Sequence, residues 1–88
     1  MERYGIALFF STRDAMKAEE EAKKCHLRVR IIPTPGTLYA SCGFSLKYEP
    51  AEETALQQLL RTCGLRGEGF YHAAKKGLAV SYEKAEER

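Results

Sequence analysis

Among the 88 residues, three cysteines supply the strongest nucleophiles, and Cys42 stands in a segment unlike the rest of the chain. Residues 31–43, IIPTPGTLYASCG, hold two of the three prolines. Pro33 and Pro35 flank Thr34, and each removes an N–H and fixes φ, so no regular helix or strand is expected there. Gly36 admits a turn conformation that few other residues tolerate. Ser41 and Gly43 leave little bulk around the sulfur. A thiolate placed in this way is suited to act as a nucleophile or to carry a sulfur-like atom. The competing reading makes Cys42 a small buried hydrophobe, since free cysteine is among the most buried residue types.

The other reactive types offer less. Cys25 and Cys63 fall on apolar helical stripes and read as packing. His26 stands where a helix must end, and histidine tolerates the left-handed conformation such an end needs. His72 lies within a strand pattern, beside Tyr71 and Ala73, and reads as a partly exposed strand residue. The carboxylates cluster on helix faces and in the tail, so no acid–base pair stands out. Neither a GxGxxG nor a GxxxxGK pattern occurs. Cys25 and His26 are neighbours, but a structural zinc site needs four convergent ligands. No metal or cofactor is therefore expected.

Composition narrows the class further. Fourteen basic and twelve acidic side chains leave a net charge of +2, too balanced for a nucleic-acid or membrane partner. The longest apolar run, GIALFF, is far too short to span a bilayer. It lacks a basic leader before it and a small-residue cleavage pattern after it, so no signal peptide is expected. An odd number of cysteines argues against a disulfide framework and suits a cytoplasmic protein.

The elements that must position Cys42 can be read in order. YGIALFF, residues 4–10, is a strand with Ile6, Leu8 and Phe10 on one face and Gly5, Ala7 and Phe9 on the other. Ser11-x-x-Asp14 opens a helix running to about Lys24, with Ala15, Ala18, Ala22 and Cys25 inward and Met16 beside them. Lys17–Glu21, Glu19–Lys23 and Glu20–Lys24 pair along its outer face. LRVRII at 27–32 and GFSLKYE at 43–49 are the next strands. Pro50, Glu52 and Glu53 start a second helix, whose stripe is Ala55, Leu56, Leu59, Leu60 and Cys63, and Gly64 closes it. GFYHA at 69–73 is a fourth strand. LAVSYEK adds a short fifth strand or an ordered tail, and AEER reads as a fraying end.

This order is that of an α+β ferredoxin-like βαββαβ sandwich, with an antiparallel sheet and both helices on one face. One domain spans residues 1–88, with its core at about 4–73 and a turn plus short strand or tail at 74–88. The topology brings Cys42 to the sheet edge where the first helix begins. Helix N–H groups and Arg13 would there stabilise a thiolate, and Ser11 and Thr12 could donate to an anionic adduct. The second helix ends at the same edge and Cys25 lies at the opposite one, which makes Cys63 the candidate resolving thiol. The second face of the sheet, with Phe9, Ile32 and Tyr71, is a candidate surface for a small ligand or a homodimer.

IALFF, the Ser11-Thr12 turn, the alanine-rich helix AMKAEEEAKK with Glu19, Pro33-Thr34-Pro35 and Cys42-Gly43 together resemble the selenium/sulfur carrier protein-like family of small bacterial and archaeal proteins. The resemblance spans roughly residues 4–72 and is most specific at the Pro-Thr-Pro and Cys-Gly elements. Gly36 stands where that family usually has arginine, and Tyr39 where it usually has serine. The resemblance implies that Cys42 accepts sulfur or selenium as a persulfide-type adduct and passes it to a protein partner. Such a protein need not turn over a substrate alone. The alternative, from another class, is a non-catalytic ligand-binding or protein-interaction module, because this fold hosts many functions. An exposed, reactive Cys42 favours the carrier, and a buried thiol favours the module.

Overall fold

The computed structural model describes residues 1–85. Strand β1 (Glu2–Phe9) leads to helix α1 (Thr12–Lys24), then β2 (Val29–Pro33) and β3 (Phe44–Tyr48). A single 3₁₀ turn (Pro50–Glu52) precedes α2 (Glu53–Thr62), which is followed by β4 (Gly67–Lys76) and β5 (Ala79–Lys84). The strands form one sheet in the order β2-β3-β1-β4-β5, and every neighbouring pair is antiparallel. This is the ferredoxin-like arrangement with a fifth strand added outside β4. That strand is the firmer of the two forms expected for residues 78–84. Pro33 ends β2 opposite Phe44 rather than lying beyond it. The edge position of β2 tolerates its missing N–H.

β1 is buried from Gly5 to Phe9, and its alternation divides the interior into two clusters. Ala7 and Phe9 point to the helices and share a core with Ala15, Ala18, Ala22, Leu46, Leu56, Leu60 and Phe70. Ile6 and Leu8 point to the second face with Ala73, covered by Tyr4, Ile32, Leu38, Ala40, Tyr71, Val80 and Tyr82. Phe9 therefore belongs to the helix-side core, at 0% exposure, and not to the second face with Ile32 and Tyr71. The small alanines of α1 leave room for its ring. The second face is also less open than the alternation suggested, because the segment between β2 and β3 folds Leu38 and Ala40 onto it.

Local signals account for the helix ends. Ser11 Oγ accepts the Asp14 N–H at 3.1 Å, capping α1. At the other end Leu27 N–H bonds Ala22 O and His26 N–H bonds Lys23 O, both at 3.0 Å. α2 ends in the same way, with Leu65 N–H on Leu60 O (2.8 Å) and Gly64 N–H on Arg61 O (3.1 Å). Both are Schellman turns with a left-handed residue, His26 (φ 61°) and Gly64 (φ 70°). Here two expectations are corrected. Cys25 and Cys63 are the residues just before those turns, and both are exposed. The apolar contact each stripe seemed to reserve for cysteine is made by Leu27 and Leu65, which pack against the core.

Met16 and Ala55 are also exposed, not inward. Each lies about 100° around its helix from a buried neighbour, Ala15 and Leu56: Met16 on the side away from its stripe, Ala55 at the margin beside half-buried Leu59. The three expected i,i+4 ion pairs of α1 form, each at 3.4 Å. Glu19 also accepts the Ile31 N–H at 2.9 Å, and Glu52 the Arg28 N–H at 2.9 Å, so carboxylates occupy donors on and beside edge strand β2. Ala85, expected in a fraying end, is buried and donates its N–H to Phe70 O at 2.8 Å. The rest of that stretch, residues 86–88, lies outside the described residues.

Candidate functional site

Cys42 sits one residue before Gly43 and β3, at the sheet edge where β1 ends and α1 begins. Its sulfur lies 3.4 Å from Thr12 Oγ1, on the first residue of α1, and accepts the Phe44 N–H at 3.3 Å. The residue is 5% exposed. A thiolate at this position would receive hydrogen bonds from the Thr12 hydroxyl and the Phe44 amide, beside the positive end of a 13-residue helix.

The segment bearing Cys42 is closed at its base by Thr34. Thr34 N–H donates to Gly43 O at 2.9 Å, and its hydroxyl donates to Cys42 O at 3.0 Å. That hydroxyl has one proton, so the 2.6 Å contact with fully buried Ser45 is a bond donated by Ser45 Oγ. Pro35 O accepts Leu38 N–H at 3.0 Å, folding Pro35-Gly36-Thr37-Leu38 into a turn. Gly36 has open space around it and an ordinary φ, so its freedom is not what shapes that turn. Tyr39 is 95% exposed.

The remaining candidates occupy distinct places. Ser11 caps α1, so its hydroxyl oxygen is turned to Asp14 and not to Cys42. Ser41 gives its N–H to Glu68 Oε1 at 2.7 Å and its hydroxyl to Glu68 Oε2 at 2.5 Å. Arg13 is exposed and, with Cys63, lines a shallow cavity along α1 that also includes Asp14, Met16, Lys17 and Glu20. Cys63 Sγ lies 4.0 Å from Glu21 Oε1. Glu21 follows Thr12 by nine residues, about 13 Å of helix axis and half a turn around it. The two thiols thus adjoin different parts of α1, but Thr12, which Cys42 touches, and Cys63 line one cavity.

A second polar group stands out midway along β1, one that residue types in sequence did not mark. Tyr48 OH donates to Glu53 Oε1 at 2.5 Å, and His72 Nε2 lies 2.7 Å from the same oxygen. Gly5 faces both Tyr48 and His72 across the sheet, and the Tyr48 ring occupies the space that a side chain at residue 5 would need. Burial, with the Glu53 hydrogen bond and charge behind it, pushes the Tyr48 hydroxyl pKa up, so it remains a donor. Glu68, too, was invisible as an isolated letter; the glycines on either side were the available hint of an irregular strand. Among the described residues, no three His, Cys, Asp or Glu side chains converge as a metal site would require. No helix among them is long and apolar enough to cross a membrane.

Fold and site together define a small ferredoxin-like α+β protein with one hydrogen-bonded thiol at the start of its first helix. The family described as "Putative Se/S carrier protein-like" matches residues 4–72, and the chain belongs to that family. The matched span includes Cys42 and every residue described around it. Neither the curated proteins nor the solved structures compared with the chain give a match.

Proposed function

We propose that Cys42 carries sulfur or selenium as a persulfide-type adduct and delivers it to a protein partner in the cytoplasm. The observation that carries this reading is the environment of the sulfur. The Phe44 N–H and the Thr12 hydroxyl, both able to donate to a thiolate, converge on Cys42 Sγ at a helix start, in a chain of the Se/S carrier-like family. In the loading step the Cys42 thiolate attacks the outer sulfur of a donor persulfide. A new S–S bond forms on Cys42, the donor's S–S bond breaks, and the donor leaves as a thiolate. In delivery, an acceptor thiolate attacks the same outer atom and Cys42 leaves as the thiolate, so no net oxidant is needed. Selenium follows the same path as the outer atom.

Cys63 is the second thiol in this reading. It would release the cargo as hydrosulfide by attacking the inner sulfur of Cys42 to form a disulfide, which requires the end of α2 to approach β3. One observation favours the alternative of a non-catalytic interaction module: Cys42 is nearly buried, as a packing cysteine would be.

The test loads the reduced protein with a small-molecule persulfide and reads adducts by intact mass and peptide mapping. Wild type, Cys25→Ala, Cys42→Ala and Cys63→Ala are compared. Loading is expected to fall about tenfold or more only in Cys42→Ala, with Cys63→Ala holding its adduct longer if it resolves. Equal loading of all three variants would defeat the carrier reading and put the interaction module first.

A further inference from the structure

A carrier whose cysteine is 5% exposed must open before a donor or acceptor sulfur can reach it in line. The residue beside it is tied to β4. Ser41 commits both of its polar hydrogens to Glu68, one to each carboxylate oxygen. Glu68 is aimed there by an irregularity in the ladder. β1 and β4 pair Leu8 with Gly69 and Phe9 with Gly67, so Glu68 has no residue opposite it. An extra residue of this kind kinks a strand and redirects its side chain. The other contacts of the 34–43 segment given above run through Thr34 at its base, from Cys42 Sγ to Thr12 and Phe44, and beneath it through Leu38 and Ala40. The Glu68–Ser41 pair is a polar tie from the segment to β4, beside the apolar packing of Leu38 and Ala40 on the cluster that includes Ala73, and it lies in contact with water.

We propose that Glu68 is a positioning residue for Cys42: its paired bonds to Ser41 latch the segment against β4, hold the thiol closed, and open it when released. The significance of the latch rests on the carrier reading, but its existence does not. On this view β4 contributes to a site otherwise built from α1 and β3, and the bulge exists to bring Glu68 to it.

The experiment measures alkylation of reduced protein by iodoacetamide at each cysteine, resolved by peptide mapping. Wild type, Glu68→Ala and Glu68→Gln are compared. The exposed Cys25 and Cys63 serve as controls within the same molecule. Glu68→Ala is expected to speed Cys42 alkylation by about tenfold while the two controls stay within about twofold. Glu68→Gln still accepts the Ser41 N–H and should remain within about threefold of wild type. An unchanged Cys42 rate in Glu68→Ala, or the same acceleration in Glu68→Gln, overturns the latch. If amide exchange in β1 and β3 reveals that Glu68→Ala loosens the whole fold, Ser41→Ala replaces it, since it removes only the hydroxyl bond. Faster Cys42 alkylation in Ser41→Ala with β1 and β3 still protected supports the latch, and an unchanged rate overturns it. Iodoacetamide needs no cargo, so a wild-type protein that fails to load persulfide would defeat the carrier reading and leave the latch result standing.

Discussion

A β-carbon added at Gly5 would lie 2.1 Å from Tyr48 Cζ, whereas one added at Gly36 would meet nothing within 4 Å. The two glycines thus have opposite meanings. Gly5 makes room for the Tyr48 ring, which meets Phe70 edge-on at 6.1 Å and reaches Glu53 with its hydroxyl. Gly5→Ala must displace that ring from a packed core, and the expected cost is about 1–3 kcal/mol, measured as a lowered urea midpoint with an unchanged slope. Gly36→Arg, which installs the arginine that the family resemblance led one to expect here, should change stability by no more than about 0.5 kcal/mol. It therefore tests the missing arginine without a folding artefact. A solvent-exposed cation contributes about 0.3–1 kcal/mol to a nearby thiolate, which predicts Cys42 alkylation about two- to fivefold faster than wild type at neutral pH. An unchanged rate would assign that arginine to contacts with another molecule.

At the scale of elements, signals that act locally were legible and those that depend on pairing were not. Ser11-x-x-Asp14, His26 and Gly64 declared the helix ends because capping involves residues only a few positions apart. The stripes misplaced Cys25 and Cys63 because periodicity continues a helix face past the residue where a Schellman turn reverses the chain. The bulge at Glu68 depends on the register between β1 and β4, which no local pattern contains. The position of Cys42 beside the start of α1 was legible from topology, but the Glu68 and Thr34 bonds that close its segment were not. The twin turns give a paired prediction. His26 holds the left-handed conformation with a β-carbon, and Gly64 without one. His26→Gly should stabilise the protein and Gly64→Ala destabilise it, each by about 1 kcal/mol, after the opposing change in unfolded-chain entropy. For an 88-residue domain that is a shift in melting temperature of about 4–8 °C, upward in the first variant and downward in the second. Shifts of the same sign would mean that the two turns are not equivalent.

For the whole molecule, strand order followed from the alternation of elements, yet the face on which each β1 residue sits decides how the protein meets others. The apolar second face of β1 suggested a homodimer. In the structure Ile6, Leu8 and Ala73 are already buried, in part because Leu38 and Ala40 fold over them from the segment that bears Cys42. What remains at that surface is the half-exposed area of Tyr4, Ile32, Tyr71, Val80 and Tyr82, with Lys47 placed 4.4 Å from the Tyr4 ring centre. A stable interface takes about 800 Å² from each partner, close to one-seventh of this chain's 5765 Å². Reaching that area would mean burying the Tyr hydroxyls and the Lys47 ammonium, which is held 3.4 Å from Glu2 in an ion pair, as well as apolar surface. The chain is therefore expected to sediment at micromolar concentration as a single 9.9 kDa species. A species of twice that mass would show that the second face is an interface after all. Because Leu38 and Ala40 belong to the segment carrying Cys42, such an interface would also place the partner copy against the lid of the thiol, and dilution should then raise the rate of Cys42 alkylation while leaving Cys25 and Cys63 unchanged.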